Sequence, residues 1–325
     1  MPFFQTYRQT IQNISDFQNK DIPFLFILNF NKTEGFCSAI SSLDPAQIQY
    51  SIHGQNLAPN RSDQKIHLKS NSISFGEYYS MFTKLQNEIE NGNSYLTNLT
   101  CSSELETDLD LPELFQIAHA KYKLWVKDRF VVFSPECFIK IDGTDIFTFP
   151  MKGTINAAVP NAENILIQDS KEDAEHYTII DLLRNDLHIV ARDVSVSRFK
   201  YIDRIKTHDG ELLQMSSQIQ GTLRPEFEND FGALLDRMLP AGSVTGAPKK
   251  KTLEIIEQIE NHQRGFYTGV FGVGSKNSLE VAVMIRFIEK IDNKLVFKSG
   301  GGITFDSEPQ KEYQEMINKI YVPIF

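Results

Sequence analysis

Residues 265–320 read GFYTGVFGVGSKNSLEVAVMIRFIEKIDNKLVFKSGGGITFDSEPQKEYQEMINKI. Three β-forming runs, at 265–273, 279–289 and 294–298, follow one another with no helix between them. They lead to a Gly-Gly-Gly turn at 300–302 and a closing helix over 309–320. Upstream the texture is the same: SYLTNLT, RFVVF, CFIKI and DIFTF are short β runs, and residues 193–221 make two more strands. Helices are expected over 75–90, with Gly92 beyond it as a cap, and over 171–187, 226–238 and 248–259. Pro248 takes the first position of that last helix, with Leu253, Ile256 and Ile259 on one face. The first seventy or so residues are polar and strand-like, with SSLDPAQ and APNRSDQ as loops. Strands outnumber helices and no regular βαβ succession occurs, so the fold class is α+β, rich in antiparallel strands. No Pro/Ser/Gly linker divides the chain. We read 1–325 as one domain, with a β-rich part at 1–74 and a core at 75–325.

Charge narrows the function. Lys and Arg number 33, Asp and Glu 42, for a net charge of −9 over 325 residues. Nucleic-acid binding wants a basic stripe and is excluded on this count. With 41% hydrophobic and 23% charged residues, the chain is globular rather than disordered or collagen-like. Its most apolar run, IPFLFILNF at 22–30, is far short of the roughly 20 residues that cross a membrane. MPFFQTYRQT lacks the basic-then-apolar order of a signal peptide. Cys37, Cys101 and Cys137 are odd in number and form no CxxC, which opposes a disulfide scaffold or a thiolate zinc site. A cytoplasmic protein is expected.

Four constellations could carry chemistry. Glu172 and Glu175 in KEDAEH, and Glu312 and Glu315 in QKEYQEMINK, are i, i+3 pairs that each share a helix face. Two solvated faces would show the same pattern; brought together, four carboxylates suit a hard cation such as Mg²⁺. In PMKGT, 150–154, Lys152 follows an apolar strand. Partial desolvation there would lower its pKa and free a nucleophile or base, whereas a turn lysine would simply face solvent. Glu136 in SPE, sixteen residues upstream, starts another strand; if the strands pair, an acid and an amine flank one site. AGSVTGAPKKK, 241–251, misses the phosphate-loop spacing. Its three lysines oppose the dipole of the helix they open, which calls for an acidic partner nearby or plain exposure. Gly300–Gly302 could turn backbone N–H groups toward an anion. Arg286, placed inside the apolar strand VAVMIRF on the face of Ala282 and Met284, needs a carboxylate from the protein or from a ligand. Together these describe a pocket for a metal and a ligand with more than one carboxylate, beside a lysine.

In their order, PMKGT, KEDAEHYTIIDLLRNDL, LPAGSVTGAPKKKTLEII, RGFYTGVFG, VAVMIRF and GGGITFDSEPQKEYQEMINK resemble the chorismate-utilising enzymes. That family includes component I of anthranilate synthase, component I of aminodeoxychorismate synthase, isochorismate synthase and salicylate synthase. The resemblance runs from about residue 75 to the C-terminus, which makes the first 74 residues a shortened N-terminal part. It implies an anthranilate-synthase-like fold of two large facing β-sheets flanked by helices. It also implies Glu175 and Glu315 as direct Mg²⁺ ligands, with Glu172 and Glu312 supporting the metal through water. Mg²⁺ would hold the ring carboxylate of chorismate. Arg286, Tyr267, the Gly301–Gly302 backbone and Lys319 would hold the pyruvyl side, Thr154 and Thr245 would line the ring, and Gln214 would sit near the ring hydroxyl.

Within the family, Lys152 resembles the lysine of aminodeoxychorismate synthase, where other members carry a small residue. The resemblance then implies attack by Lys152 at ring C2, protonation of the departing C4 hydroxyl by Glu136, and addition of ammonia at C4. Ammonia would come from a separate glutaminase subunit in a heterodimer, since the chain shows no Cys–His pattern of its own and no room for a fused amidotransferase. No lyase domain after Phe325 is expected to complete 4-aminobenzoate formation for folate. Ile155, Gln214, Leu96 and Cys137 depart from the family's common residues around C4. The Leu-Leu-Glu-Ser stretch associated with tryptophan binding is absent, so feedback by tryptophan is not expected. The alternatives are anthranilate- or isochorismate-type chemistry in the same pocket, and an idle chorismate-binding subunit that activates a glutaminase.

Overall fold

A computed structural model describes residues 4–54, 68–168, 170–207 and 210–324; for Thr154, Ser170, Lys171, 205–207 and Gly210 it describes the backbone alone. The loop expected at APNRSDQ lies outside the described residues. Among the described residues, strands form a ten-stranded and an eight-stranded sheet. Every strand pairing is antiparallel. In the larger sheet the N-terminal strands Glu34–Ala39 and Phe24–Leu28 continue into the late strands Val270–Gly274 and Ser278–Val283. Cys137–Asp142, Asp145–Thr148, Gly210–Leu223 and Met151–Asn156 follow. In the smaller sheet Leu96–Thr107 and Lys294–Thr304 are neighbours, followed by Phe287–Ile291, Phe130–Ser134, Tyr122–Val126 and Ile48–Ile52.

The apolar run at 22–30 shows how the layers form. Phe24–Leu28 is buried on both faces. Leu25 and Ile27 point between the sheets, where they join Tyr122, Leu124, Val132 and Phe287 of the smaller sheet. Phe24, Phe26 and Leu28 point outward onto Ile14, Ile180, Leu183 and Phe231, on the helices Tyr7–Asn19, Ser170–Val190 and Phe231–Met238. A strand covered on both sides loses the polar–apolar alternation of a half-exposed one. Each such side chain contributes about 1.5–3 kcal/mol on burial. Outside the smaller sheet, the helices Phe75–Glu90, Lys249–Ile259 and Pro309–Asn318 cover Leu99, Cys101 and Ile303. Among the described residues no helix is long and apolar enough to cross a membrane.

Several expectations hold and several need correction. The helix Phe75–Glu90 opens with a capping box between Ser74 and Glu77, and Gly92 lies just past its end. The N-terminal part is not strands alone: Tyr7–Asn19 is a helix that packs Tyr7, Ile11, Ile14 and Phe17 on the core, with Thr10, Ser15 and Gln18 also buried; that helical spacing is present in the sequence, and the strand-like reading missed it. The helix expected over 226–238 is two, Pro225–Glu228 and Phe231–Met238, because Asp230 caps the second through Ala233 N–H. Lys249–Ile259 turns Thr252, Ile255 and Ile256 inward, and Pro248 caps it rather than opening it.

Two corrections bear on the site. Gly300–Gly302 are no turn: they lie within Lys294–Thr304 and pair with Thr100, Leu99 and Asn98. Arg286 is not inside a strand. Ser278–Val283 ends in the larger sheet and Phe287–Ile291 begins in the smaller one, so Arg286 stands where the chain crosses between them, at φ +52°.

Candidate active site

Lys152 lies on Met151–Asn156, one residue before an irregularity in the pairing with Gly210–Leu223. Gly153 makes that irregularity, at φ +70°. A Cβ there would lie 2.8 Å from Leu166 Cδ1 and 3.2 Å from Glu172 Oε2, so the strand passes close under the helix carrying the first acidic pair. The Lys152 ammonium reaches that helix and sits 2.7 Å from Glu175 Oε2.

Glu315 of the second acidic pair acts on this lysine together with the first pair. Burial pulls the Lys152 ammonium down, but the fields of Glu175, Glu315 and Glu172 together hold it above the ordinary lysine value. The sequence reading of a desolvated, lowered lysine is therefore corrected: in this arrangement Lys152 is a charged partner of carboxylates. Glu312 and Glu315 lie over Gly301, whose Cβ would be 3.8 Å from an oxygen of each and 3.7 Å from Lys319 Nζ. Lys319 bridges Glu315 Oε1 at 2.7 Å and the Gly300 carbonyl at 3.0 Å. Glu312 is 8% exposed and accepts from the Ser307 hydroxyl at 2.9 Å. Among the described residues no three His, Cys, Asp or Glu side chains are drawn together tightly enough to be a ready cation cage. Lys152 and Lys319 hold two of the carboxylates instead. The donor set itself, carboxylates on two helices of which three act on Lys152, is of the type a hard oxygen-seeking cation takes.

Glu136 opens the strand Cys137–Asp142. Its Oε1 accepts from the Ser243 hydroxyl at 2.5 Å. Burial raises its pKa, with Ser243, Arg286, Lys152 and Lys319 acting in the opposite sense. A carboxyl with a raised pKa in a cationic setting is suited to giving up a proton. Arg286 lays its guanidinium over the Tyr321 ring at 4.9 Å. Its Nε is buried with no hydrogen-bond partner, and it makes no ion pair among the described residues. Of the two partners left open for Arg286, a protein carboxylate and a ligand, the first is not paired with it among the described residues. Tyr267 is 4% exposed; burial raises its phenol, and Arg264 and Arg286 oppose the rise.

The ring-side residues gather less completely. Thr245 is fully buried and spends its hydroxyl on the Ala241 and Gly242 carbonyls, at 2.9 and 3.3 Å. Gln214, half-buried, pairs through its backbone with Thr154, whose side chain lies outside those described. Burial raises all three thiols, Cys101 and Cys137 to about 12, so none is a thiolate nucleophile.

Sequence reading missed the groups that hold the wall. Ser243 is one. Arg264 is another: it clasps Glu260 at 2.8 and 2.6 Å and donates to the Val244 and Asn98 carbonyls, each at 2.6 Å. The i, i+4 spacing of Glu260 and Arg264 was the one available signal. The acidic partner expected for the lysine run is Asp186, 2.8 Å from Lys249.

What gathers here is a carboxyl with a raised pKa, an arginine donor without a hydrogen-bond partner and a lysine held among carboxylates. The chain belongs to the chorismate binding enzyme family, which it matches over residues 25–324. It is a chorismate-converting enzyme of the anthranilate, aminodeoxychorismate and isochorismate synthase group. A Haemophilus influenzae protein named "Uncharacterized PabA-like protein" is 44% identical over 98% of both chains. Aminodeoxychorismate synthase component 1 of Bacillus subtilis is 35% identical over 58% of this chain and 40% of its own. Anthranilate synthase component I from Streptococcus pneumoniae superposes with a TM-score of 0.67 at 26% identity, covering 82% of this chain and 60% of that one. MenF, the menaquinone-specific isochorismate synthase from Escherichia coli, reaches 0.73 at 15% identity, over 96% and 80%; that likeness concerns the fold alone. The expected architecture of two large antiparallel sheets with outer helices is the one found.

Proposed function

We propose that the chain aminates chorismate at ring C4, as component I of an aminodeoxychorismate synthase. The observation that carries this is Lys152, an amine set among three carboxylates in the same electrostatic neighbourhood as Glu136. Chemistry that only binds or isomerises chorismate needs no such amine, and relatives named anthranilate synthase are as similar in overall identity as the Bacillus subtilis protein.

Arg286, Lys319 and the Gly301–Gly302 strand take the pyruvyl carboxylate, with Tyr267 behind them. Glu175 and Glu315, supported by Glu172 and Glu312, would hold Mg²⁺, which supplies positive charge and an anchor for the ring carboxylate. Lys152 must leave Glu175 and release its proton to solvent before it can attack. Its nitrogen then bonds to C2 as both conjugated ring double bonds shift, C1=C2 to C1=C6 and C5=C6 to C4=C5, and the C4–O bond breaks. Glu136 passes its proton to the departing hydroxyl, which leaves as water. Ammonia bonds to C4 and gives a proton back to the Glu136 carboxylate, the double bonds shift back, the C2–N bond breaks and the Lys152 amine is restored. Two easier displacements replace one with a poor leaving group. Ammonia would arrive from a separate glutamine amidotransferase partner.

The test is product analysis with purified protein, chorismate, Mg²⁺ and an ammonium salt. A product in which one hydroxyl has become an amine, with the pyruvyl group retained, is expected. Anthranilate, isochorismate or salicylate would overturn the proposal in favour of another branch of the family. No turnover even with a glutaminase subunit added would favour an idle binding subunit.

A further inference from the structure

We propose that Ser243 is a positioning residue that fixes Glu136 by one oxygen, so that the other oxygen carries the proton delivered to the substrate. This rests on the reading of Glu136 as the acid. Ser243 stands in the middle of the short turn Gly242–Val244, and the residues on both sides of it are clamped by ion pairs. The Gly242 N–H donates to Asp186 Oδ2 at 3.0 Å, and Asp186 is paired with Lys249, which also donates to the Met238 carbonyl at 2.7 Å. There is no room for a side chain at 242: a Cβ would lie 2.2 Å from Leu182 Cδ2 and 2.6 Å from Asp186 Oδ2. On the other side, the Val244 carbonyl accepts from Arg264, whose own side chain and that of Glu260 are 2% and 3% exposed.

A turn that merely joined two helices would need neither clamp. Buried ion pairs are costly unless well satisfied; here the buried Glu260–Arg264 pair and the part-buried Asp186–Lys249 pair each bind the backbone next to one half-buried serine, among their other contacts. That serine's hydroxyl reaches across 107 residues of sequence to Glu136 Oε1 at 2.5 Å. The Glu136 backbone is fixed as well, its N–H on Ser134 Oγ at 3.1 Å and its carbonyl on Val283 N–H at 3.2 Å. With the backbone and Oε1 both held, rotation of the carboxyl is blocked. A hydroxyl that donates to Oε1 favours that oxygen as acceptor and leaves the acidic proton to Oε2.

The groups facing Glu136 are Arg286 at the sheet crossing, Lys152 on its strand and Lys319 after the last helix; the neighbouring Cys137 thiol stays neutral. None of them changes in the variant Ser243→Ala. That variant removes a donor that favours the carboxylate, so Glu136 holds its proton to higher pH. It also frees the carboxyl to turn. The expected result is a fall in kcat of roughly 10- to 100-fold, with chorismate KM changed less than about threefold. The high-pH limb of kcat/KM moves up by roughly one pH unit. Rates are compared at equal free ammonia, whose share of total ammonium rises with pH. Ser243→Thr keeps the hydroxyl and restores both the limb and most of kcat.

The same ionisation is read without turnover from the pH dependence of chorismate Kd in the presence of Mg²⁺, because an ionised Glu136 repels the dianion. The midpoint of that weakening shifts upward in Ser243→Ala and not in Ser243→Thr. An unmoved limb and an unmoved Kd midpoint in a folded Ser243→Ala overturn the proposal, even if stability falls. A wild-type product other than the C4 amine, anthranilate included, would instead defeat the aminating reading. The limb and midpoint comparison still decides the role of Ser243 in that case.

Discussion

Replacing Gly153 with alanine should damage the site more than the fold, and by an amount that can be worked out. The residue sits at φ +70°, where an L-residue with a Cβ costs about 1–2 kcal/mol. The new methyl would lie 2.8 Å from Leu166 Cδ1 and 3.2 Å from Glu172 Oε2. Leu166 is 4% exposed and packed with Leu213 and Met215, so it cannot simply swing away, and crowding of this kind adds about 1–3 kcal/mol. The total is about 2–5 kcal/mol, short of what unfolds an ordinary domain outright. For a chain of 325 residues that lowers Tm by roughly 3–8 °C. The strand must shift to make room, and Lys152 and Glu172 are the groups it displaces. A shift near 1 Å costs about 100-fold in rate.

The assay is ammonium-dependent turnover beside a thermal melt, with Gly143→Ala as the control. Gly143 has a similar φ, +62°, and nothing within 4 Å of its would-be Cβ. The control should lose only the 1–2 kcal/mol backbone cost and keep its activity. If Gly153→Ala matched Gly143→Ala in both melt and turnover, the close passage of this strand under the acidic helix would be wrong.

Three further outcomes follow from the same structure. Gly301→Ala meets only ordinary contacts at 3.7–3.8 Å, so it should fold normally while chorismate and Mg²⁺ bind about tenfold more weakly or worse; Gly300→Ala, 2.4 Å from the Leu99 carbonyl, should instead lose stability, and calorimetric titration with chemical denaturation separates the two. Glu260→Ala strands the buried Arg264 and should cost about 3–5 kcal/mol, against less than about 1 kcal/mol for Glu106→Ala in the exposed pair with Lys69; equal losses in urea unfolding would contradict this. Lys123 is 1% exposed, donates to the Ala118 carbonyl and is pulled down to about 8 by burial. Between there and its unfolded value near 10.5 the unfolded chain binds more protons, so its contribution makes stability rise with pH. Lys123→Met should therefore be more stable than wild type by about 1–3 kcal/mol at about pH 7, and the gap should narrow toward about pH 9.5; a pH-independent gap would refute it.

The parts legible in the sequence were those set by local pattern. The helix Phe75–Glu90 has a capping box and an apolar stripe, and was placed to the residue. The acidic pairs are i, i+3 on helices, so their shared faces could be read, and the order of motifs carried the family. What could not be read depends on tertiary partners. The first helix buries Gln18, whose amide binds the Glu228 and Lys276 carbonyls and the Phe231 N–H; burial of a polar residue by partners from distant loops has no local signal. Gly300–Gly302 look like a turn because nothing local shows that Asn98–Thr100 will pair with them. Ser243 and Glu136 meet only after both sheets form. The charge state of Lys152 followed from three carboxylates on two helices, where the sequence showed only the strand behind it.

The central claim is that Lys152 is a covalent nucleophile, and intact-protein mass after mixing with chorismate and Mg²⁺ in the absence of ammonia tests it most directly. The account predicts a species heavier by chorismate less one water, mapped to Lys152, discharged by ammonium and missing from Lys152→Ala. Amination at an undiminished rate by Lys152→Ala, or an adduct carried elsewhere, would contradict it.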